Sequence, residues 1–172
     1  MKGASMQIVV TLDEYELAHA AMAGCQRRIA SIVKQRPQFY DADDRKNFWQ
    51  IDIVGMIAEY AVAKALDKHW QPATNKRLAD LPGDVGPYQV RSTEHRWGHL
   101  FLHPNDKPAD YILAIVKDNR VLLSGWIDLE TGSQVGDMRS VDTWWVPQDK
   151  LFGFDRWREP ILWSDSVVAK LN

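Results

Sequence analysis

Between Asn47 and His69 the chain carries a dense run of apolar residues, among them Ile51, Ile53, Val54, Met56, Ile57, Ala58, Ala61, Val62, Ala63, Ala65 and Leu66. At helical spacing they cover much more than the single stripe that a surface helix turns inward. Such a helix has to be wrapped on several sides. The reading is therefore a central buried helix over about 47–69, around which the other elements pack.

What precedes it is simpler. Gln7 to Val10 reads as a short strand, and Thr11-Leu12-Asp13-Glu14 has the form of a capping box, in which hydroxyl and carboxylate each satisfy a free backbone amide. A first helix then runs to about Gln35, its apolar stripe formed by Leu17, Ala20, Ala21, Gly24, Ile29 and Ile32. Arg36-Pro37 stops it, because proline disfavours helix at the residue before it. Phe39 to Lys46 is a polar connection. Its run Asp41-Ala42-Asp43-Asp44 lacks the glycine and closing glutamate of a calcium loop.

Strands follow the central helix in quick succession. Tyr88 to Thr93 is one, His99 to His103 a second, and Asp110 to Lys117 with Arg120 to Asp128 a hairpin closed at Asp118-Asn119. A glycine-containing loop is expected over Thr131 to Asp137, then a strand over Thr143 to Val146 and one helical turn at Pro147 to Leu151. The tail around Trp163 supplies an edge strand. Helices first and strands later predict an α+β domain: two N-terminal helices packed on a mixed, mostly antiparallel central sheet. All 172 residues fit one domain, with 1–46 as an N-terminal helical extension and 47–172 as the core.

Bulk properties exclude several classes. The formal charge of −2 offers no global attraction to nucleic acid or an anionic membrane, so any such contact has to come from a local patch. No apolar run approaches the roughly 20 residues that span a bilayer. The opening Met1 to Gln7 lacks the apolar core of a secretory peptide, and Cys25 is the only cysteine, so the expected setting is the reducing cytoplasm. Cys25 itself reads as an inert helical thiol. Tryptophan is abundant, with eight copies, five of them from Trp126 onward. Most large rings serve a core, but they also stack on bases.

Two features carry chemistry. Glu59 interrupts the apolar surface of the central helix, flanked along its face by Gly55, Val62, Ala63 and Leu66. A carboxylate so placed turns toward the sheet rather than toward water, and burying it costs several kcal/mol, on the order of 2–7, unless it is paired or binds a metal. The alternatives to a metal role are an ion pair with an arginine such as Arg91 and an exposed position at the helix edge. The second feature is the run from Gly83 to Thr93. Asp84 lies in a Gly/Pro turn leading into a strand, where Gln89 and Arg91 fall two positions apart and share a face. Oxygens of Asp84, Gln89 and the Val90 carbonyl suit magnesium, a hard cation, and Arg91 suits a phosphate.

This order of helix glutamate, turn aspartate and strand pair resembles the PD-(D/E)xK, or restriction-endonuclease-like, nuclease superfamily. The resemblance covers about residues 50 to 150 and is carried by Gly55 to Lys64, Asp84 and Gln89-Val90-Arg91; the stretches ending in Ser124-Gly125-Trp126-Ile127 and Trp145-Val146-Pro147-Gln148 are similar to small phage and bacterial proteins of this type. It implies a magnesium- or manganese-dependent endonuclease that cuts DNA with a metal-activated water. Glu59, Asp84 and Gln89 would be the metal residues, and Arg91 would stand in place of the usual catalytic lysine. Lys64, Lys68, Lys76, Arg77, Arg96 and His95 are the expected DNA contacts, since affinity for DNA is mostly phosphate neutralisation. Oligomeric state is left open, with a homodimer suited to cutting both strands. Because arginine does not relay a proton near neutral pH, the second reading is a member without catalysis that keeps nucleic-acid or protein binding, the latter through its Trp-rich C-terminal third.

His95, His99 and His103 recur at four-residue intervals. On a helix that spacing suits zinc, but Gly98, Pro104 and Leu100-Phe101-Leu102 indicate turn and strand, where His99 and His103 stand about 13 Å apart.

Overall fold

The computed structural model describes residues 5–34, 47–74, 82–140 and 142–171. The helices are α1 (Glu14–Val33), α2 (Phe48–Ala65) and α3 (Leu129–Val135). The strands are β1 (Met6–Thr11), β2 (Gln89–Thr93), β3 (Leu100–Leu102), β4 (Asp110–Lys117), β5 (Arg120–Asp128), β6 (Asp137–Ser140), β7 (Thr143–Val146) and β8 (Val167–Leu171). Five of the strands form a central sheet in the order β2-β4-β5-β1-β8. Only the β2–β4 pair is parallel, so the sheet is mixed and mostly antiparallel, as the sequence predicts. A smaller antiparallel sheet, β3-β7-β6, covers the other side.

The central sheet separates two cores. On one face, Ile112, Ala114 and Val116 of β4 pack with Ile57, Ala58, Ala61 and Val62 of α2. On the other, Tyr111 and Leu113 pack with Leu100, Leu102 and Val146 of the small sheet. The alternation follows from the period-2 geometry of a strand. In β5 the phase changes: Val121 and Leu123 face the helix side, but so does Trp126, while Ile127 faces the other core. A bulge causes the shift, since Leu113 pairs with Gly125 whereas Ala114 pairs with Leu123, leaving Ser124 extra.

α2 is buried as expected and contacts β1, β2, β4 and β5. Its far side meets α1, and the two approach so closely that a Cβ on Gly24 would lie 2.5 Å from Ile53 Cα. Two ion pairs cross that interface, Arg28–Asp52 and Arg27–Glu59. α2 ends at Ala65 rather than near His69. Asp67 turns left-handed at φ 51°, and the Lys68 N–H closes on Ala63 O at 2.9 Å, a Schellman stop. None of the described helices is long and apolar enough to cross a membrane.

Three expectations need correction. The capping box is Asp13 with Glu16, two residues later than Thr11 with Glu14, because Thr11 is committed to β1 pairing opposite Arg120. Residues 131–135 are helical: Asp128 accepts the Thr131 N–H at 2.8 Å as an N-cap, and buried Gly132 allows close packing on Leu102 and Ile127. The final edge strand is β8, starting four residues beyond Trp163. β1 lies between β5 and β8 inside the central sheet. The connection at 39–46 lies outside the described residues.

Candidate functional site

Glu59 faces the α1 side of α2, only 5% exposed, and accepts a 2.8 Å hydrogen bond from Arg27 Nη2. Its partner is therefore Arg27, not Arg91. Burial is the dominant influence on its acidity and raises the pKa from 4.5 to about 7. The Arg27 charge opposes this, and the negative charge of Asp84 adds to it. The Trp70 indole N–H also favours the ionised form, although its geometry falls short of a hydrogen bond. Removing charge from water outweighs one good ion pair here, as is common for buried carboxylates.

Asp84 sits at the rim of the sheet, in the turn before β2. Its Oδ2 accepts the Val90 N–H at 2.8 Å, which satisfies a donor on an edge strand that would otherwise be free. Its charge is felt by Glu59 on the helix side and by Tyr111 on the other. Beyond Asp84 the strand alternates. Val90 enters the helix-side core, so Gln89 and Arg91 point to the opposite face, away from α2. Gln89 Nε2 reaches Pro82 O only at 3.5 Å. Arg91 is fully engaged there: it donates to Phe101 O at 3.3 Å, pairs with Asp106 at 3.0 Å and lies 4.9 Å over the Tyr111 ring.

The structure thus brings Glu59 and Asp84 into electrostatic reach and places Gln89 and Arg91 on the far side of β2. Gln89 faces away from Glu59 and Asp84, so of the three expected magnesium residues at most the two carboxylates can share an ion. Glu59 is held by Arg27, and Asp84 accepts the Val90 backbone amide. Among the described residues, no three His, Cys, Asp or Glu side chains are grouped to hold a metal.

Of the expected DNA contacts, Lys64 is bound to Glu16 at 2.7 Å and to Thr11 O at 3.1 Å, and Lys68 pairs with Glu159 at 2.7 Å. Lys76 and Arg77 lie outside the described residues. His95 and Arg96 are exposed, in the turn that leads into β3. That turn is pinned by Gln148, whose Nε2 donates to Arg96 O at 2.9 Å and Gly98 O at 3.0 Å. Gln148 is itself held from behind by Ser124 Oγ, the residue displaced by the β5 bulge.

Next to this turn lies a surface that the sequence reading did not single out. Leu100 and Leu102 are fully buried, so Phe101 between them points outward and is 38% exposed. Its ladder partner is Trp145, ring centroids 4.6 Å apart in an edge-to-face arrangement. His99 contacts the same indole at 5.7 Å, and the Arg139 guanidinium lies 5.2 Å over it. Arg96 lies 4.9 Å over Trp97, which is 76% exposed. The remaining tryptophans of the C-terminal third divide. Trp126 is buried and joins Trp157, Phe152 and Phe154 in a core cluster, whereas Trp163 is exposed. The available signal was period-2 alternation: in Leu100-Phe101-Leu102 and Trp144-Trp145-Val146 the middle residue must face away from the core.

No family model matches this chain, and neither does any curated protein or solved structure.

Proposed function

We propose that this protein binds single-stranded nucleic acid on the outer face of its small β3-β7-β6 sheet, without catalysing phosphodiester cleavage. The observation that supports the reading is the outward-facing Phe101–Trp145 pair, Phe101 exposed and Trp145 half-buried, with Arg139 stacked on the indole, beside the pinned Arg96–Trp97 turn. Aromatic faces on a sheet offer stacking platforms to unpaired bases, and neighbouring arginines neutralise the phosphates. With a net charge of −2, long-range attraction is absent, so stacking supplies most of the affinity and duplex, whose bases are already stacked, binds poorly. A single cysteine suits a reducing, cytoplasmic setting for that task. Fluorescence anisotropy with a labelled oligothymidylate and the matching duplex tests it. Preference for the single strand is the expected result. Equal binding of both, or capture of a protein partner with no affinity for either, overturns it.

A second reading, metal-dependent DNA hydrolysis with Glu59, Asp84, Gln89 and Arg91, is favoured by one observation, the electrostatic coupling of Glu59 to Asp84. Plasmid cleavage in magnesium or manganese that disappears in Asp84→Asn would support it. No cleavage by the native chain removes it.

A further inference from the structure

From the outer face of the small sheet we infer that Asp137 makes this protein select guanine, its carboxylate accepting the N1–H and N2–H groups of one unpaired guanine stacked on the neighbouring rings. The inference rests on the single-strand reading above and names the base that reading leaves open. Asp137 is the ladder partner of Trp145, which in turn pairs with Phe101 on the other side of β7. Direct partners share a face, so Phe101, Trp145 and Asp137 form one row across the three strands. Trp144 and Val146 turn to the core, which fixes that row on the outside. The Asp137 side chain is 71% exposed, and its Oδ2 stands 3.8 Å from Arg139 Nη2, too far for a hydrogen bond. Arg139 lies over the indole instead. Cross-strand Cβ atoms are about 5 Å apart, so a base resting on these rings meets the carboxylate edge-on.

The chemistry of that edge chooses the base. An ionised carboxylate only accepts hydrogen bonds and repels phosphate, so on a face that binds a polyanion it helps only where it meets base N–H groups. Its two oxygens suit two adjacent donors. Among the common bases guanine alone offers them on its Watson–Crick edge, N1–H beside the N2 amino group. Adenine and cytosine set a ring-nitrogen acceptor beside their amino group, and thymine and uracil flank N3–H with two carbonyls. Each of those turns a lone pair toward the second oxygen, a mismatch that costs affinity. In a duplex the guanine edge is already paired, so the contact needs a single strand. Arg96 and Arg139 remain for the phosphates, and positioning and selection fall to different side chains.

Fluorescence anisotropy of the full chain with labelled oligothymidylates tests the assignment, the central thymine being replaced in turn by guanine, hypoxanthine and adenine. Adenine controls for the larger stacking area of a purine, and hypoxanthine keeps N1–H but lacks the N2 amino group. The guanine strand should bind about tenfold more tightly than the adenine strand, with hypoxanthine between them. Asp137→Asn should bring guanine to the adenine level and leave the unsubstituted strand bound at least as tightly as before. Circular dichroism of that variant should match the native chain, because the side chain is exposed. Equal binding of guanine and adenine strands by the native chain, or a guanine preference that survives Asp137→Asn, overturns the inference and leaves the single-strand reading standing. Binding of none of the strands overturns both.

Discussion

Phe101 and Trp145 are direct partners in the β3–β7 ladder, their rings 4.6 Å apart on the side that faces away from the core. The small sheet uses its other side, Leu100, Leu102 and Val146, to cover Tyr111 and Leu113 of the central sheet. Its aromatic outer side adds nothing to that core, and the half-exposed ring pair capped by an arginine marks a surface suited to a ligand. The binding proposal rests on this division of labour.

The arginines on that face predict a shallow salt dependence. If Arg96 and Arg139 each neutralise one phosphate, log K falls with log salt at a slope of about −1.4 for a single strand. Arg139→Ala should bring the slope to about −0.7. Titrations at several salt concentrations check this, and a slope unchanged by the substitution would place Arg139 outside the interface.

Glu59 predicts a pH signature. Its pKa is raised in the folded state, so its contribution to stability is fully present below the ordinary value of 4.5 and is lost as pH rises toward about 7. The difference in melting temperature between Glu59→Gln and the native chain should therefore grow in favour of the variant across that window and flatten above it. Asp84→Asn removes the like charge and should move the Glu59 midpoint downward, readable by carboxyl NMR titration.

Gly24 predicts a packing penalty. With Ile53 Cα and N at 2.5 and 2.8 Å from the position a Cβ would take, Gly24→Ala has to push α1 off α2. Despite alanine's better helix propensity, urea unfolding should report a loss of about 1–3 kcal/mol.

Asp67 predicts the opposite sign. It holds φ 51° at the end of α2, a conformation that glycine adopts without a Cβ penalty. Asp67→Gly should raise stability by about 0.5–1 kcal/mol in the same assay.

The hairpin of β4 and β5, strand β7 and the central burial of α2 could be read from residue order alone, because strict apolar patterning and turn residues bound them. Other features depend on contacts between distant parts of the chain. α3 has poor local propensity and a glycine at its centre, and it is helical because Asp128 caps it and Gly132 fits beneath Leu102. The partner of Glu59 is 32 residues away on α1, so adjacency to β2 suggested the wrong arginine. Gln89 and Arg91 do share a face, as spacing requires. Which face that is was decided by Val90, whose side chain goes to the α2 core. The separation of the strands into two sheets, and hence the outward turn of Phe101 and Trp145, is set by pairings between residues far apart in the chain, such as Leu100 with Val146.

The most direct test is anisotropy of a labelled 15-nucleotide single strand titrated with the native chain and with Trp145→Ala. Loss of one stacking platform is worth about 1–3 kcal/mol, so affinity should drop between roughly 5- and 150-fold while the melting temperature of the protein stays within a few degrees. Binding of equal strength by both proteins, or no binding by the native chain, would contradict the assignment of this face.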